Sequence, residues 1–332
     1  MSTQSKLISI VGTTATGKTN LALLLANKLL KQAGIKGVAL ISADSRQVYR
    51  GLEVLTGADV PSTFKPQSPQ AGYRFFKHKQ QPITLHGVSI IYPDQDWSVA
   101  HFREMTIALI KTAWENSWLP IVVGGTGLYH SQLFNNDPEL YIRPNQDIRQ
   151  QATDMPVTEL QAWLKKIDPN KIKNLNLSDR QNPRRLVRAI EVAVSLQQPT
   201  ERVKHRLQFE QPKFYYQIGL RLPVKQLKPK IQQRVKQRFM LGAVKEVKNL
   251  LALDLPANSP PMTATGVKPI QDYLHHKITA QKTIEAWTQQ EIQYAKQQLT
   301  WWQKHQPSRW LNPEQPDYQT QAWKIIQWVL NT

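Results

Sequence analysis

Apolar positions along the chain fall into short continuous runs that alternate with longer stretches of helical spacing. Lys6–Val11 (KLISIV) reads as a buried strand, and Thr19–Leu30 (TNLALLLANKLL) repeats its leucines and alanines at helical intervals. Gly37–Ala43 (GVALISA) is a second strand, Ser98–Ser117 an amphipathic helix opened by a serine cap, and Leu119–Val123 (LPIVV) a third strand. Apolar strands separated by helices predict a parallel sheet with helices on its faces. Residues 51–82 are rich in glycine and proline with little periodicity and read as irregular, and Ile83–Tyr92 reads as strands paired around Gly87.

The pattern then changes. From about Tyr141 to Glu210 the spacing is helical throughout, and Asn182-Pro183 opens a helix with proline in its first turn. Phe214–Leu222 (FYYQIGLRL) returns to strand character and is expected to rejoin the sheet. Basic helices follow over Gln226–Phe239, with Pro229 near the helix start, and over Val244–Leu253. A long helix over Thr283–Lys304, a short strand over Ser308–Leu311 and a helix over Tyr318–Leu330 close the chain. The expected organisation is a core of residues 1–140 and 211–332 interrupted by a helical insertion, 141–210.

Composition narrows the class. With 332 residues and 40% hydrophobic content the chain can bury a proper core. The absence of cysteine excludes disulfides, thiolate metal sites and a cysteine nucleophile, and suits a cytoplasmic setting. No apolar run is long enough to cross a bilayer, and no signal-peptide pattern opens the sequence. The formal net charge is +19, and residues 161–240 hold 19 basic against 5 acidic side chains. A cationic field this concentrated points to a polyanionic partner, nucleic acid first, rather than to a merely solvated face.

The candidate chemistry begins at Gly12-Thr13-Thr14-Ala15-Thr16-Gly17-Lys18-Thr19, which matches the phosphate-cradling pattern between a strand and a helix. Its backbone N–H groups and the helix N-terminus would hold an anion. Lys18 would neutralise a phosphate, and the Thr19 hydroxyl would hold Mg²⁺. Asp44, at the end of the second strand, is placed equally well to face that ligand or to serve as a helix N-cap. Gly124–Tyr129, after the third strand, is placed either as a second wall of the same crevice or as simple strand-to-helix punctuation, the wall being favoured by its position. Trp301 and Trp302 either stack on bases or anchor their helix in the core, the core role being the commoner one. Histidines are scattered, without zinc-ligand spacing.

Taken together, GTTATGKT, ISADSRQVYRGLEV, PIVVGGTGLY and NPRRLVRAIEV, in this order and at these separations, resemble the tRNA dimethylallyltransferases. The resemblance implies a P-loop NTPase-like α/β core with an all-helical insertion. The implied enzyme moves a dimethylallyl group from dimethylallyl diphosphate to the exocyclic amine of the adenosine 3′ of the anticodon, and needs Mg²⁺. It implies that Gly12, Thr14, Ala15, Thr16, Gly17, Lys18 and Thr19 hold the diphosphate, that Asp44 is the general base, and that Thr126 lines the channel beside it. By the same resemblance Asp44, Ser45, Arg46, Gln47, Arg149, Arg184, Arg185, Arg188, Lys268 and Lys296 lie on the side of the tRNA anticodon stem-loop. The enzyme is expected to act as a monomer.

The chain departs from the family pattern at several places. Leu55-Thr56-Gly57-Ala58 stands where Gly-Thr-Ala/Gly-Lys is usual, and Val224 where an arginine is usual. Gly266-Val267-Lys268-Pro269 replaces Gly-Tyr-Lys-Glu, and Ala295-Lys296-Gln297-Gln298 replaces Ala-Lys-Arg-Gln. Some of the cationic groups expected around the diphosphate and the tRNA are therefore missing from their usual positions.

Overall fold

The structure, a computed structural model, describes residues 5–68, 72–135, 137–197 and 212–332. Its described strands are β1 (Lys6–Gly12), β2 (Gly37–Ser42), β3 (Phe64–Gln67), β4 (Phe75–His78), β5 (Ile83–His86), β6 (Trp118–Gly124), β7 (Phe214–Leu220) and β8 (Arg309–Leu311). They form one sheet in the order β3-β4-β5-β2-β6-β1-β7-β8. From β5 through β8 every neighbouring pair is parallel, while β4 pairs antiparallel with both β3 and β5.

The parallel strands are apolar on both faces because helices cover both. Ile8, Ile10, Leu40, Ile121 and Ile218 share a core with Leu21, Leu25 and Leu29 of the helix Lys18–Leu29 and with Ile326 of the helix Tyr318–Asn331. The helix Val99–Glu115 packs on β2 and β6. It starts where expected: the Ser98 hydroxyl accepts from the His101 amide, and the His101 ring accepts from the Ser98 amide.

Three local expectations are corrected. Residues 51–82 are not irregular throughout, since they contain the β3–β4 hairpin. β3 is the edge strand and β4 its neighbour, each four residues long with one buried phenylalanine (Phe64, Phe76), and Lys65, Pro66 and Lys77 disguise them as loop. Only Ile83–His86 of the 83–92 stretch is a strand, and Ile91 makes no more than an isolated bridge to Tyr49. Pro229 lies inside a helix, Val224–Arg238, that begins earlier behind Pro223. There the buried stripe of Leu227, Ile231 and Val235, in a helix that packs against Ala280–Lys304, outweighs the amide bond a mid-helix proline forfeits.

Trp302 is buried and Trp301, half-buried, stacks on His305 over Gly127.

The chain divides into two compact units, Met1–Phe134 with Glu210–Thr332, and Asn135–Phe209. In the smaller unit the helices Val157–Ile167 and Pro183–Gln197 close a core around Leu160, Leu164, Leu186 and Ile190. Among the described residues of 141–197 only helices occur, and the rest of the helical expectation, 198–210, lies outside the described residues.

Candidate functional site

Because β1, β6 and β2 are adjacent, the loops leaving their carboxyl ends lie side by side. Backbone bonds stitch two of them together: the Ala43 amide donates to Val123 O at 2.8 Å and the Thr126 amide to Ala43 O at 3.3 Å. With the helices Val224–Arg238 and Ala280–Lys304 these loops enclose a cavity of about 490 Å³.

The glycine-rich loop forms its floor. Its backbone turns through the left-handed region at Ala15 (φ 60°) and Gly17 (φ 81°), and the Thr16 hydroxyl donates to Thr13 O at 2.8 Å. Thr14, Ala15, Gly17, Lys18 and Thr19 line the cavity, while Gly12 and Thr16 are buried beneath it. Lys18 Nζ donates to Thr13 O at 2.6 Å. Burial brings the Lys18 ammonium down to about 8, with Arg234 pushing the same way and Asp44 opposing. Thr19 is exposed at the cavity and offers an oxygen of the kind Mg²⁺ accepts. No group of three or more His, Cys, Asp or Glu side chains that could hold a metal ion occurs among the described residues.

No helix follows Asp44, so it is not a helix N-cap; it caps a turn instead and also lines the cavity. Its Oδ1 accepts from the amides of Arg46 (2.8 Å) and Gln47 (3.3 Å), and its side chain lines the cavity that Lys18 enters. The turn therefore fixes the carboxylate where the ligand would lie. Its charge is felt by Tyr129 and Tyr294, where burial, reinforced by that charge, raises both phenols above their ordinary range. Tyr294 neighbours Thr126, whose hydroxyl is buried.

The residues after Asp44 are tied down. The Arg46 guanidinium donates to Pro260 O and to the Thr263 hydroxyl (3.2 Å). The Gln47 amide accepts from the Ser42 hydroxyl and donates to Gly57 O, both at 3.0 Å. Ser45 is half-buried.

Several wall residues escaped the sequence reading. Gln298 Oε1 accepts from the Thr14 amide at 2.8 Å, reaching the loop from the far end of the chain. Arg234 donates to the Thr14 hydroxyl at 3.1 Å, and Arg238 pairs with Glu291 at 3.6 Å. Arg234 and Arg238 lie four apart on one helix face, a spacing visible in the sequence but submerged in the general positive charge. Ala58, where the resemblance expects lysine, follows Gly57, whose α-carbon the two guanidinium groups flank.

The profile of the IPP transferase family matches residues 47–305. The chain belongs to this family. The tRNA dimethylallyltransferase of Pelotomaculum thermopropionicum is 32% identical over 325 residues, covering 95% of this chain and 94% of that protein. Its counterpart from Moorella thermoacetica is 32% identical over 317 residues, 93% of this chain and 90% of that one. Among solved structures, the full-length tRNA isopentenylpyrophosphate transferase from Bacillus halodurans matches with a TM-score of 0.65 at 27% identity, covering 99% and 97% of the two chains. The parallel-dominated sheet with flanking helices is the P-loop NTPase-like fold of these IPP transferases.

The other cations considered for RNA differ in how free they are in this IPP transferase. In the smaller unit the buried Glu191 carboxylate takes Arg149 Nε (2.7 Å), an Arg188 amino group (3.2 Å) and the Asn145 amide (3.1 Å). Arg188 also donates to the carbonyls of Glu139 and Ile142, at 2.8 Å each. Arg185 pairs with Asp179 yet stays largely exposed, and Arg184 is exposed. In the larger unit Lys268 pairs with Asp272 at 2.6 Å, and Lys296 is exposed beside the inward-facing Gln298.

Proposed function

We propose that the chain transfers the dimethylallyl group of dimethylallyl diphosphate to the exocyclic amine of the adenosine 3′ of the anticodon in tRNA. The observation that carries this reading is that a backbone-anchored carboxylate, Asp44, and a phosphate loop with its lysine line one cavity of about 490 Å³. The allylic carbon–oxygen bond breaks as the amine nitrogen bonds to that carbon, diphosphate leaves, and the amine's proton passes to Asp44. Loop amides and Lys18 take up the charge on the leaving oxygens. Thr19 would hold Mg²⁺, which when bound would supply further charge neutralisation to the leaving group. The base must leave its stack to reach the cavity, so the nucleotide is flipped inward.

On this reading Ser45, Arg46 and Gln47 shape the entry for the flipped base. Arg149, Arg184, Arg185, Arg188, Lys268 and Lys296 are assigned to the tRNA side, with Arg184 and Arg185 as phosphate contacts and Arg188 holding its helix in place. The enzyme is assigned to the cytoplasm, as a monomer, and no described helix is long and apolar enough to cross a membrane.

Incubation with tRNA, dimethylallyl diphosphate and Mg²⁺, followed by mass spectrometry of anticodon-loop nucleosides, tests the reading. The expected product is a prenylated adenosine in tRNA and no prenylated AMP from free nucleotide. Prenylated AMP with unmodified tRNA would instead indicate an enzyme of free nucleotides, and tight tRNA binding without any product a non-catalytic relative.

A further inference from the structure

We propose that Arg238 is a diphosphate-binding residue of this chain, its guanidinium engaging the leaving group from the wall formed by the helix Val224–Arg238. The proposal rests on the prenyl-transfer reading above, which places a diphosphate in the cavity.

Arg238 lines the cavity yet is only 6% exposed. Its ion pair with Glu291 is long, 3.6 Å, and its Nε has no hydrogen-bond partner among the described residues. Glu291 is itself shared, accepting from the Thr265 hydroxyl at 2.8 Å. A buried guanidinium with so little compensation is unfavourable unless something else satisfies it. Arg188 shows what a structural arginine looks like in this protein: two carbonyls at 2.8 Å and a carboxylate at 3.2 Å.

The surroundings point the same way. Arg234 lies one helical turn away and adds a like charge, which an anion between the two would relieve. The wall is shaped to admit both groups. Gly57 has φ 64°, and a Cβ there would run into both guanidinium groups. Glu246 fixes that wall by accepting from the amides of Val54 (2.9 Å) and Leu55 (2.7 Å). Lys18, Arg46, Lys230, Arg234 and Arg238 line the cavity against the carboxylates Asp44, Asp59 and Glu291, a positive excess suited to a polyanion.

The test is calorimetric titration of the full chain with inorganic pyrophosphate and Mg²⁺, comparing wild type with Arg238→Gln, Glu291→Gln and the double variant. Removing charge-assisted bonds to phosphate is expected to weaken binding about tenfold or more in Arg238→Gln, and to raise KM for dimethylallyl diphosphate in proportion. Glu291→Gln is expected to bind pyrophosphate more tightly, because the carboxylate no longer competes for the guanidinium. Loss of the carboxylate's repulsion alone would tighten binding equally with and without Arg238, so the tightening marks a guanidinium contact only where it disappears in the double variant. The double variant leaves no unpaired buried charge, so it is expected to fold if the single variant does not, and to bind as weakly as Arg238→Gln. Wild-type affinity in the arginine variants, or unchanged or weaker binding in Glu291→Gln, overturns the proposal while the diphosphate reading stands. Failure of the wild-type protein to bind pyrophosphate overturns both.

Discussion

Burial and the neighbouring Arg234 disfavour the Lys18 ammonium more than Asp44 supports it, and bring it down to about 8. A lowered lysine pKa means that the cation is present below that value and lost above it. With tRNA saturating, kcat/KM for dimethylallyl diphosphate should therefore fall above about pH 8. Lys18→Arg keeps its charge, so its profile should lack that falling limb, at a lower plateau. A wild-type profile flat well above pH 8 would remove Lys18 as the titrating anchor. At this scale the sequence was informative where chemistry depends on local spacing. Lys18 and Thr19 open the helix that follows β1, Asp44 comes just after β2, and all three belong to short patterns whose geometry is set by a few neighbouring residues. Gln298 and Glu291 were not legible, since what gives them a role is their approach to Thr14 and Arg238, made through the fold.

Among the elements, the helix Pro183–Gln197 shows how basic residues divide between structure and surface. Arg184 and Arg188 share a face by spacing, yet only Arg188 is committed to Glu191 and two carbonyls. Glu191→Gln leaves Arg149 and Arg188 without their buried anion, and should cost roughly 1–3 kcal/mol of stability. Thermal denaturation of the full chain checks this, and an unchanged midpoint would mean that water replaces the carboxylate at no loss. The strands with continuous apolar runs were readable because burial on both faces writes itself into every residue. The β3–β4 hairpin was not, because an edge strand of four residues with one buried phenylalanine carries too few positions to show a period. Pro229 misled for a related reason: proline marks a helix start by local rules, and tertiary packing of Leu227, Ile231 and Val235 overrode them.

For the whole molecule the governing quantity is charge. A net +19, with much of the excess in residues 161–240, should make tRNA affinity fall steeply with salt. Arg184→Glu with Arg185→Glu should weaken tRNA binding and flatten the salt dependence by about one unit for each phosphate no longer neutralised. Pyrophosphate affinity should stay as it is, and an unchanged salt slope would mean that this basic surface faces something other than RNA. In the proposed reaction a single carboxylate, held in place by the backbone turn after β2, takes the proton from the adenine amine across a cavity shared with the diphosphate. Single-turnover prenylation of pre-bound tRNA by Asp44→Asn tests it most directly, because asparagine can keep the Oδ1 bonds to Arg46 and Gln47 while losing the base. The expected rate is lower by about 10²–10⁴-fold, with tRNA affinity nearly intact. A rate equal to that of the wild type would contradict the claim.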